Sequence, residues 1–316
     1  MTPVATISPL DRAKFIDPDR TAKGEVRARV ALSHLATLWV NTGTLCNLTC
    51  ANCYIESSPT NDSLSYFRRA DLRAYLDEIE AGALGTREIA FTGGEPFMNP
   101  DIMGMLEDVL GRGFEALVLT NAMKPMTHHR AALKRLHDVY GNRLSIRVSV
   151  DHFDSALHDE ERGTGSFKVT LEGLRWLAAE GFQPRVAGRT RWGDGEDEMR
   201  RGFAALMAGQ GIALNCADPQ ALVLFPEMDA GADVPEITEA CWGILGVNPA
   251  DIMCASSRMV VRRKGAEVPA VLACTLIADD PRFELGATLA EAGGAIPLAH
   301  PHCARFCVLG GGACSR

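Results

Sequence analysis

Residues 37–53 read Thr37-Leu-Trp-Val-Asn41-Thr-Gly-Thr-Leu-Cys46-Asn-Leu-Thr-Cys50-Ala-Asn-Cys53. The first five residues form a short apolar run of strand formers. The rest is a loop that carries cysteines at C-x3-C-x2-C spacing. Beyond it the chain alternates. Asp71 to Leu84 has helical spacing, with Leu72, Leu76 and Ile79 on one face. Glu88–Thr92 reads as a strand ended by Gly93-Gly94, and Asp101–Leu110 as a helix closed by Gly111 and Gly113. Strands at 116–120, 144–150, 185–188 and 221–225 then alternate with helices at 130–139, 167–179 and 197–207. Six strands separated by helices imply a parallel α/β sheet, because parallel neighbours need a crossover. An open doubly wound sheet and a full or partial (β/α) barrel both fit this rhythm, and periodicity does not separate them.

On either side the pattern stops. Residues 1–35 are polar and irregular and read as an extension that packs on the outside or is partly mobile. After residue 226 the chain is rich in glycine and cysteine without clear alternation, and reads as a small metal-stapled annex. The expected organisation is an N-terminal extension (1–35), an α/β domain (36–226) and a tail (227–316). The 316 residues are 47% apolar and 23% charged, an ordinary globular composition. The 32 Lys and Arg against 40 Asp and Glu give a formal net charge of −8, which weighs against a nucleic-acid partner held through its phosphates. No stretch approaches the roughly 18–20 apolar residues of a membrane span. The first residues lack the basic start and apolar core of a secretory signal. A cytoplasmic location, with neither nucleic-acid nor membrane partners, is expected.

The ten cysteines lie at 46, 50, 53, 216, 241, 254, 274, 303, 307 and 314. In a reducing compartment they are poor candidates for structural disulfides, and their clustering points to metal. A structural zinc site would require a fourth ligand close to Cys46, Cys50 and Cys53. An iron–sulfur cubane held by three thiolates leaves one iron open to bind N and O atoms of a ligand. A zinc knuckle completed from elsewhere, or incidental thiols, are the alternatives. Cys216 sits in an apolar setting and reads as a buried thiol.

The C-x3-C-x2-C loop after a first strand, with Thr92-Gly93-Gly94-Glu95-Pro96 about 40 residues later at a second strand end, resembles the radical S-adenosylmethionine (radical SAM) superfamily. The resemblance spans residues 37–226. It implies a partial (β/α)6 TIM-type barrel, a [4Fe–4S] cluster on Cys46, Cys50 and Cys53, and SAM chelated at the open iron. It assigns the SAM amino group to the Gly93-Gly94-Glu95 turn. Contacts to ribose, carboxylate or adenine would come from strand ends at Asn121, Ser149, Asp151 and Arg189. The run from Asp151 through His158 to Phe167 also looks like the family's stretch after the fourth strand. One departure is Asn52, where many members carry an aromatic residue; here Tyr54 follows the third cysteine instead.

The tail reads Cys254…Gly265…Cys274, then Phe283-Glu-Leu-Gly286, His302-Cys303-Ala-Arg-Phe-Cys307 and Cys314. This order resembles the SPASM and twitch extensions that hold auxiliary iron–sulfur clusters. The run CX2CX5C of the larger form is missing, so one further [4Fe–4S] cluster is implied, on Cys254, Cys274, Cys303 and Cys307. Cys241 and Cys314 compete for a place among the ligands, and His300 and His302 would shape the surroundings. The resemblance implies an oxidoreductase or maturase that draws an electron from a donor such as flavodoxin or ferredoxin. It would cleave SAM to a 5′-deoxyadenosyl radical and abstract a hydrogen atom from a peptide or small molecule, for a net oxidation. No protein acid or base is singled out as catalytic. The contrasting reading is a non-catalytic iron–sulfur carrier or redox sensor, which would have no use for a SAM amino-group site.

Overall fold

The computed structural model describes residues 8–227, 229 and 231–312. Its centre is one nine-stranded sheet. Strands β1 (Thr37–Asn41), β2 (Glu88–Thr92), β3 (Glu115–Thr120), β4 (Leu144–Ser149), β5 (Arg185–Arg189) and β6 (Leu222–Phe225) lie side by side in chain order, all parallel. Between them run the helices α1 (Arg69–Gly82), α2 (Ile102–Gly111), α3 (Lys124–His128), α4 (Arg130–Tyr140), α5 (Ser155–Arg162), α6 (Ser166–Ala179) and α7 (Glu196–Gly209).

Side chains alternate across each strand and divide between two cores. Leu38, Val40, Ile89, Phe91, Val118, Ile146, Val148 and Val186 pack against the apolar faces of α1, α2, α4, α6 and α7. The residues between them, Trp39, Ala90, Leu117 and Ala187, face a core that contains no residue of those helices. All the long helices therefore cover one face of the sheet. That arrangement is the partial barrel and not the doubly wound sheet, which needs helices on both faces.

The tail, whose sequence shows no clear alternation, adds three strands to the sheet. Strand β7 (Ser257–Val261) pairs in parallel with β1, placing Met259 opposite Trp39. Strands β8 (Ala270–Leu272) and β9 (Glu284–Gly286) continue the sheet antiparallel. Strands β8 and β9 are three residues each, too short for a period-2 pattern to stand out, and β7 finds its parallel partner far away in the sequence. Residues 8–35 depart from an outside position. Phe15, Ala28 and Val30 are buried with Val234, Ile237, Phe283, Ile296 and Leu298 in a core of their own. Arg29–Val30 pairs antiparallel with Ile296–Pro297.

Arg27 fixes this second core. Its guanidinium is buried and donates to the carbonyls of Asp17 (2.8 Å), Arg20 (2.8 Å) and Leu298 (3.1 Å) and to Glu236 Oε1. Breaking a buried pair from one side leaves the other charge uncompensated, at about 3–5 kcal/mol. Arg27→Ala should lower unfolding stability in denaturant by that amount. Arg29→Ala, which loses the exposed pair with Asp19, should cost about 1 kcal/mol or less. Equal costs for the two would refute Arg27 as the tie between the chain's first segment and its tail.

Candidate functional site

Because β1 to β6 are parallel, every strand-to-helix turn falls at the same end of the sheet. A cavity of about 180 Å³ opens there. Its wall takes Asn41 from β1, Gly93 and Gly94 after β2, Asn121 after β3, Ser149 and Asp151 from β4 and beyond, Arg189 from β5 and Phe225 from β6. Cys46, Cys50 and Cys53 line the same cavity. The fold thus gathers the loop cysteines and six of the seven other residues expected to bind the cofactor.

The exception is Glu95, which does not line the cavity. Its carboxylate is buried and accepts from Thr120 Oγ1 (2.8 Å), Asn121 N (2.9 Å) and Phe97 N (3.1 Å). It holds the end of β3 against the turn after β2. The carboxylate that the resemblance assigns to the SAM amino-group turn thus also has a positioning role: Oε1 accepts from Thr120 and Phe97, and Oε2 from Asn121. Gly93 and Gly94 are needed for a different closeness. Gly94 N donates to Gly43 O (2.7 Å) and Glu95 N to Leu45 O (3.1 Å). A Cβ on Gly94 would lie 2.1 Å from Leu45 O. Gly93 has φ +132, and a Cβ there would lie 2.6 Å from Gly43 O. The turn is pressed onto the backbone that leads into Cys46.

Asn121 closes the next contact. Its Nδ2 donates to Asn47 Oδ1 (2.9 Å), inside the cysteine loop, and its Oδ1 accepts from Met123 N (3.0 Å). Helix α5, within the run from Asp151 to Phe167, supplies two groups to which the sequence alone assigns no role. Arg162 forms a two-pronged pair with Asp151, at 2.6 and 3.2 Å. Burial pushes the Asp151 carboxyl up, and the Arg162 guanidinium outweighs it, leaving the group below its ordinary value. Glu161 accepts from Asn52 N (2.9 Å), Asn52 Nδ2 (2.8 Å), Arg189 Nη1 (2.8 Å) and Arg191 Nη1 (2.9 Å). Asn52, the departure from the family pattern, is used to dock the cysteine loop on α5. The Arg189 guanidinium lies over the Tyr54 ring at 5.2 Å, and its Nε is buried without a partner at the cavity wall.

Burial pushes the Cys46 thiol up to about 12 and raises that of Cys50, against the pull of Arg162. A free thiolate is not at home there, whereas a thiolate bound to metal is deprotonated by its metal. Backbone amides already point at two sulfurs: Leu48 N at Cys46 Sγ and Ser57 N at Cys53 Sγ, both 3.4 Å. Such donors suit the sulfur of a cluster ligand. The loop therefore fits an iron–sulfur cluster.

In the tail, Cys254, Cys274, Cys303 and Cys307 surround one small apolar cavity of about 20 Å³, with His302 beside them. Burial pushes Cys254 up to about 11 and Cys303 up to about 12. Leu276 N donates to Cys274 Sγ (3.4 Å). Cys241 does not line this cavity; Thr238 N (3.3 Å) and Oγ1 (3.4 Å) lie at its sulfur. Cys314 lies outside the described residues. Cys216 is buried in the helix-side core. Among the described residues no three His, Cys, Asp or Glu side chains meet closely enough to hold a single metal ion. Both cysteine groups are spread around a space instead. Leu276 lines both cavities, so they share a wall.

The family model of the radical SAM superfamily matches residues 40–202, just over half of the chain. The subtilosin biosynthesis protein AlbA of Bacillus subtilis is 34% identical over 143 residues, 45% of this chain and 30% of that protein. The mycofactocin maturase MftC of Mycobacterium tuberculosis H37Rv is 29% identical over 139 residues, 43% of this chain and 33% of that protein. The match thus spans about a third of the length of these relatives. In fold, the chain is similar to Streptococcus suis SuiB bound to S-adenosylmethionine, with a TM-score of 0.59 at 14% identity, over 81% of this chain and 64% of that one. It is also similar to anSMEcpe with bound AdoMet, with a TM-score of 0.58 at 14% identity, over 81% of this chain and 79% of that one. No helix among the described residues is long and apolar enough to cross a membrane.

Burial pushes Glu95 up to about 7, although its three hydrogen bonds pull the other way. Between about 4.5 and 7 the folded chain keeps a proton that the unfolded chain has lost. This contribution to stability is full below pH 4.5 and is lost as pH rises towards 7. Glu95→Gln places an amide N–H₂ against an N–H or O–H donor and should cost about 1–3 kcal/mol. The variant lacks the titration, so the stability gap between wild type and variant should narrow from pH 5 to pH 8. A gap that stays constant in urea unfolding would show that Glu95 titrates like an exposed carboxylate.

Proposed function

The chain belongs to the radical SAM superfamily, and on that premise we propose that it cleaves SAM at the Cys46–Cys50–Cys53 loop to oxidise a peptide or small molecule by hydrogen abstraction. When bound, a [4Fe–4S] cluster and SAM supply a 5′-deoxyadenosyl radical after one-electron reduction. The observation that carries the reading is the convergence of the three loop cysteines with Gly93, Gly94, Asn121, Ser149, Asp151 and Arg189 around one cavity.

The chain's own residues then have distinct tasks. Cys46, Cys50 and Cys53 hold three corners of the cluster. Gly93 and Gly94 bring backbone to the cavity wall, where carbonyls can accept from an ammonium. Arg189 offers its unpaired Nε to a carboxylate or adenine nitrogen. Tyr54, under the Arg189 guanidinium, gives the cavity an aromatic wall in place of the residue before Cys53. Asp151 stays ionised through Arg162 and can accept from ribose hydroxyls. Phe225 and Leu276 close the inner side with apolar surface, which keeps water from a reactive carbon.

The unit at 227–316, with Cys254, Cys274, Cys303 and Cys307, holds a second [4Fe–4S] cluster in this reading, and 36–226 is the barrel that binds SAM. The shared wall at Leu276 supports a role for that cluster in taking up the electron left by a net oxidation. AlbA is named for bacteriocin biosynthesis and MftC as a maturase, and SuiB is also described bound to its precursor peptide SuiA. These relatives favour a peptide as the substrate. An external donor of the flavodoxin or ferredoxin kind would supply the first electron, in the cytoplasm.

Anaerobic reconstitution tests the reading. The loaded chain should carry about eight irons, the sum for two four-iron clusters. With dithionite and SAM it should form 5′-deoxyadenosine. A Cys46/Cys50/Cys53→Ala chain should keep about four irons and form none. A fully loaded wild-type chain that leaves SAM intact would overturn the SAM-cleaving function. Zinc in place of iron in the triple variant would overturn the second cluster alone.

A further inference from the structure

Arg258, on β7, is among the most deeply buried side chains of the chain, 1% exposed. Among the described residues its guanidinium donates only to backbone carbonyls: Nε to Ala292 O (2.9 Å), Nη1 to Cys254 O (2.6 Å) and Ser257 O (2.8 Å), and Nη2 to Gly294 O (3.2 Å). Three other buried arginines meet a carboxylate. Arg27 has Glu236, Arg189 has Glu161 and Arg262 has Asp71. A buried cation without a counter-charge costs several kcal/mol, and carbonyl dipoles alone do not cancel it. The carbonyl that it grips most closely belongs to Cys254, one of the four cysteines around the tail cavity. As thiols these cysteines are neutral; as ligands of a cluster they are thiolates.

We propose that Arg258 is the built-in counter-charge of the tail cluster, which it holds in place and whose reduction potential it raises. The inference rests on the reading that the tail carries a [4Fe–4S] cluster. Reduction adds negative charge to a cluster, so a fixed cation beside it favours the reduced form. Arg258 also ties the cluster to the fold. Its Nη1 holds the carbonyl of Cys254, while its Nε and Nη2 hold the 292–294 turn. The charge and the hydrogen bonds are separate contributions, and two substitutions separate them. Lysine keeps the charge and loses most of the hydrogen bonds. Glutamine keeps an amide donor and loses the charge.

The test uses the full Cys46/Cys50/Cys53→Ala chain, in which the tail cluster is the only one. Its reduction is titrated anaerobically and followed by electron paramagnetic resonance. Arg258→Gln should shift the one-electron equilibrium at least tenfold towards the oxidised form, a fall of about 59 mV in midpoint potential. Arg258→Lys should stay nearer the parent than the glutamine variant does. If the glutamine chain fails to load iron while the lysine chain loads it, the charge is needed to hold the cluster and the proposal stands. A glutamine chain that keeps its four irons at the parent's potential would overturn it. So would equal falls, or equal loss of iron, in both variants, which assign the effect to the hydrogen bonds. Metal analysis of the parent separates the two levels: absence of iron there removes the second cluster itself, and Arg258's role with it.

Discussion

Leu45 O leaves no room for a Cβ on Gly94, and the site depends on that closeness. The contact at residues 43–45 joins the end of β2 to the backbone that leads into Cys46. Glu95, the next residue, then reaches from the same turn to Thr120 and Asn121 at the end of β3. Asn121 reaches back to Asn47, between the first two cysteines. These links form a closed circuit of β1, β2, β3 and the cysteine loop. The loop's position is thereby set by strand ends anchored in the sheet, although the loop has no regular structure of its own.

The far side of the loop is fixed by buried charge. Glu161 and Arg162 are neighbours on α5, yet they serve different partners. One receives the Asn52 amides and the guanidinium groups of Arg189 and Arg191; the other grips Asp151. Paired this way, charges that would each be costly to bury become specific. A helix end placed over the barrel mouth can thus set the cysteine loop, the end of β4 and the end of β5 at once. Asn52 matters here for its shape. An aromatic residue in its place would lose the side-chain amide contact to Glu161.

The sequence reveals the strands well, because each is flanked by glycines or a helix with a clear apolar face. It does not separate a barrel from a doubly wound sheet. That distinction depends on which side of the sheet the helices take, and only the split between the Leu38/Val40 face and the Trp39 face reveals it. The cysteine spacing is legible because metal ligands are rare residues at fixed intervals. The roles of Glu161 and Arg162 are not, since a buried acid or base on a short helix has the same composition as a solvated one. Glu95 is legible as a motif residue of the resembled family, but its three donors come from residues 97, 120 and 121, and two of these lie at the end of another strand. The tail's strands stay hidden because Ser257–Val261 finds its partner in β1, at the opposite end of the sequence.

That long-range pairing brings tail residues into the barrel core. The inward residues of β1, β2, β3 and β5 are Trp39, Ala90, Leu117 and Ala187, of which two are alanines, and they cannot fill the barrel interior by themselves. Leu272, Leu276 and Phe306 from the tail complete that core, with Phe306 stacked on Phe225 at 5.7 Å. Phe306 sits next to Cys307, and Leu276 lies two residues after Cys274. Leu276, which lines the first cavity, and Phe306, in the barrel core, are therefore tethered to cysteines of the second. A cluster held by Cys274 and Cys307, as proposed above, would pin the backbone at 274 and 307, and with it Leu276 in the wall of the first cavity, because these residues are close in the chain.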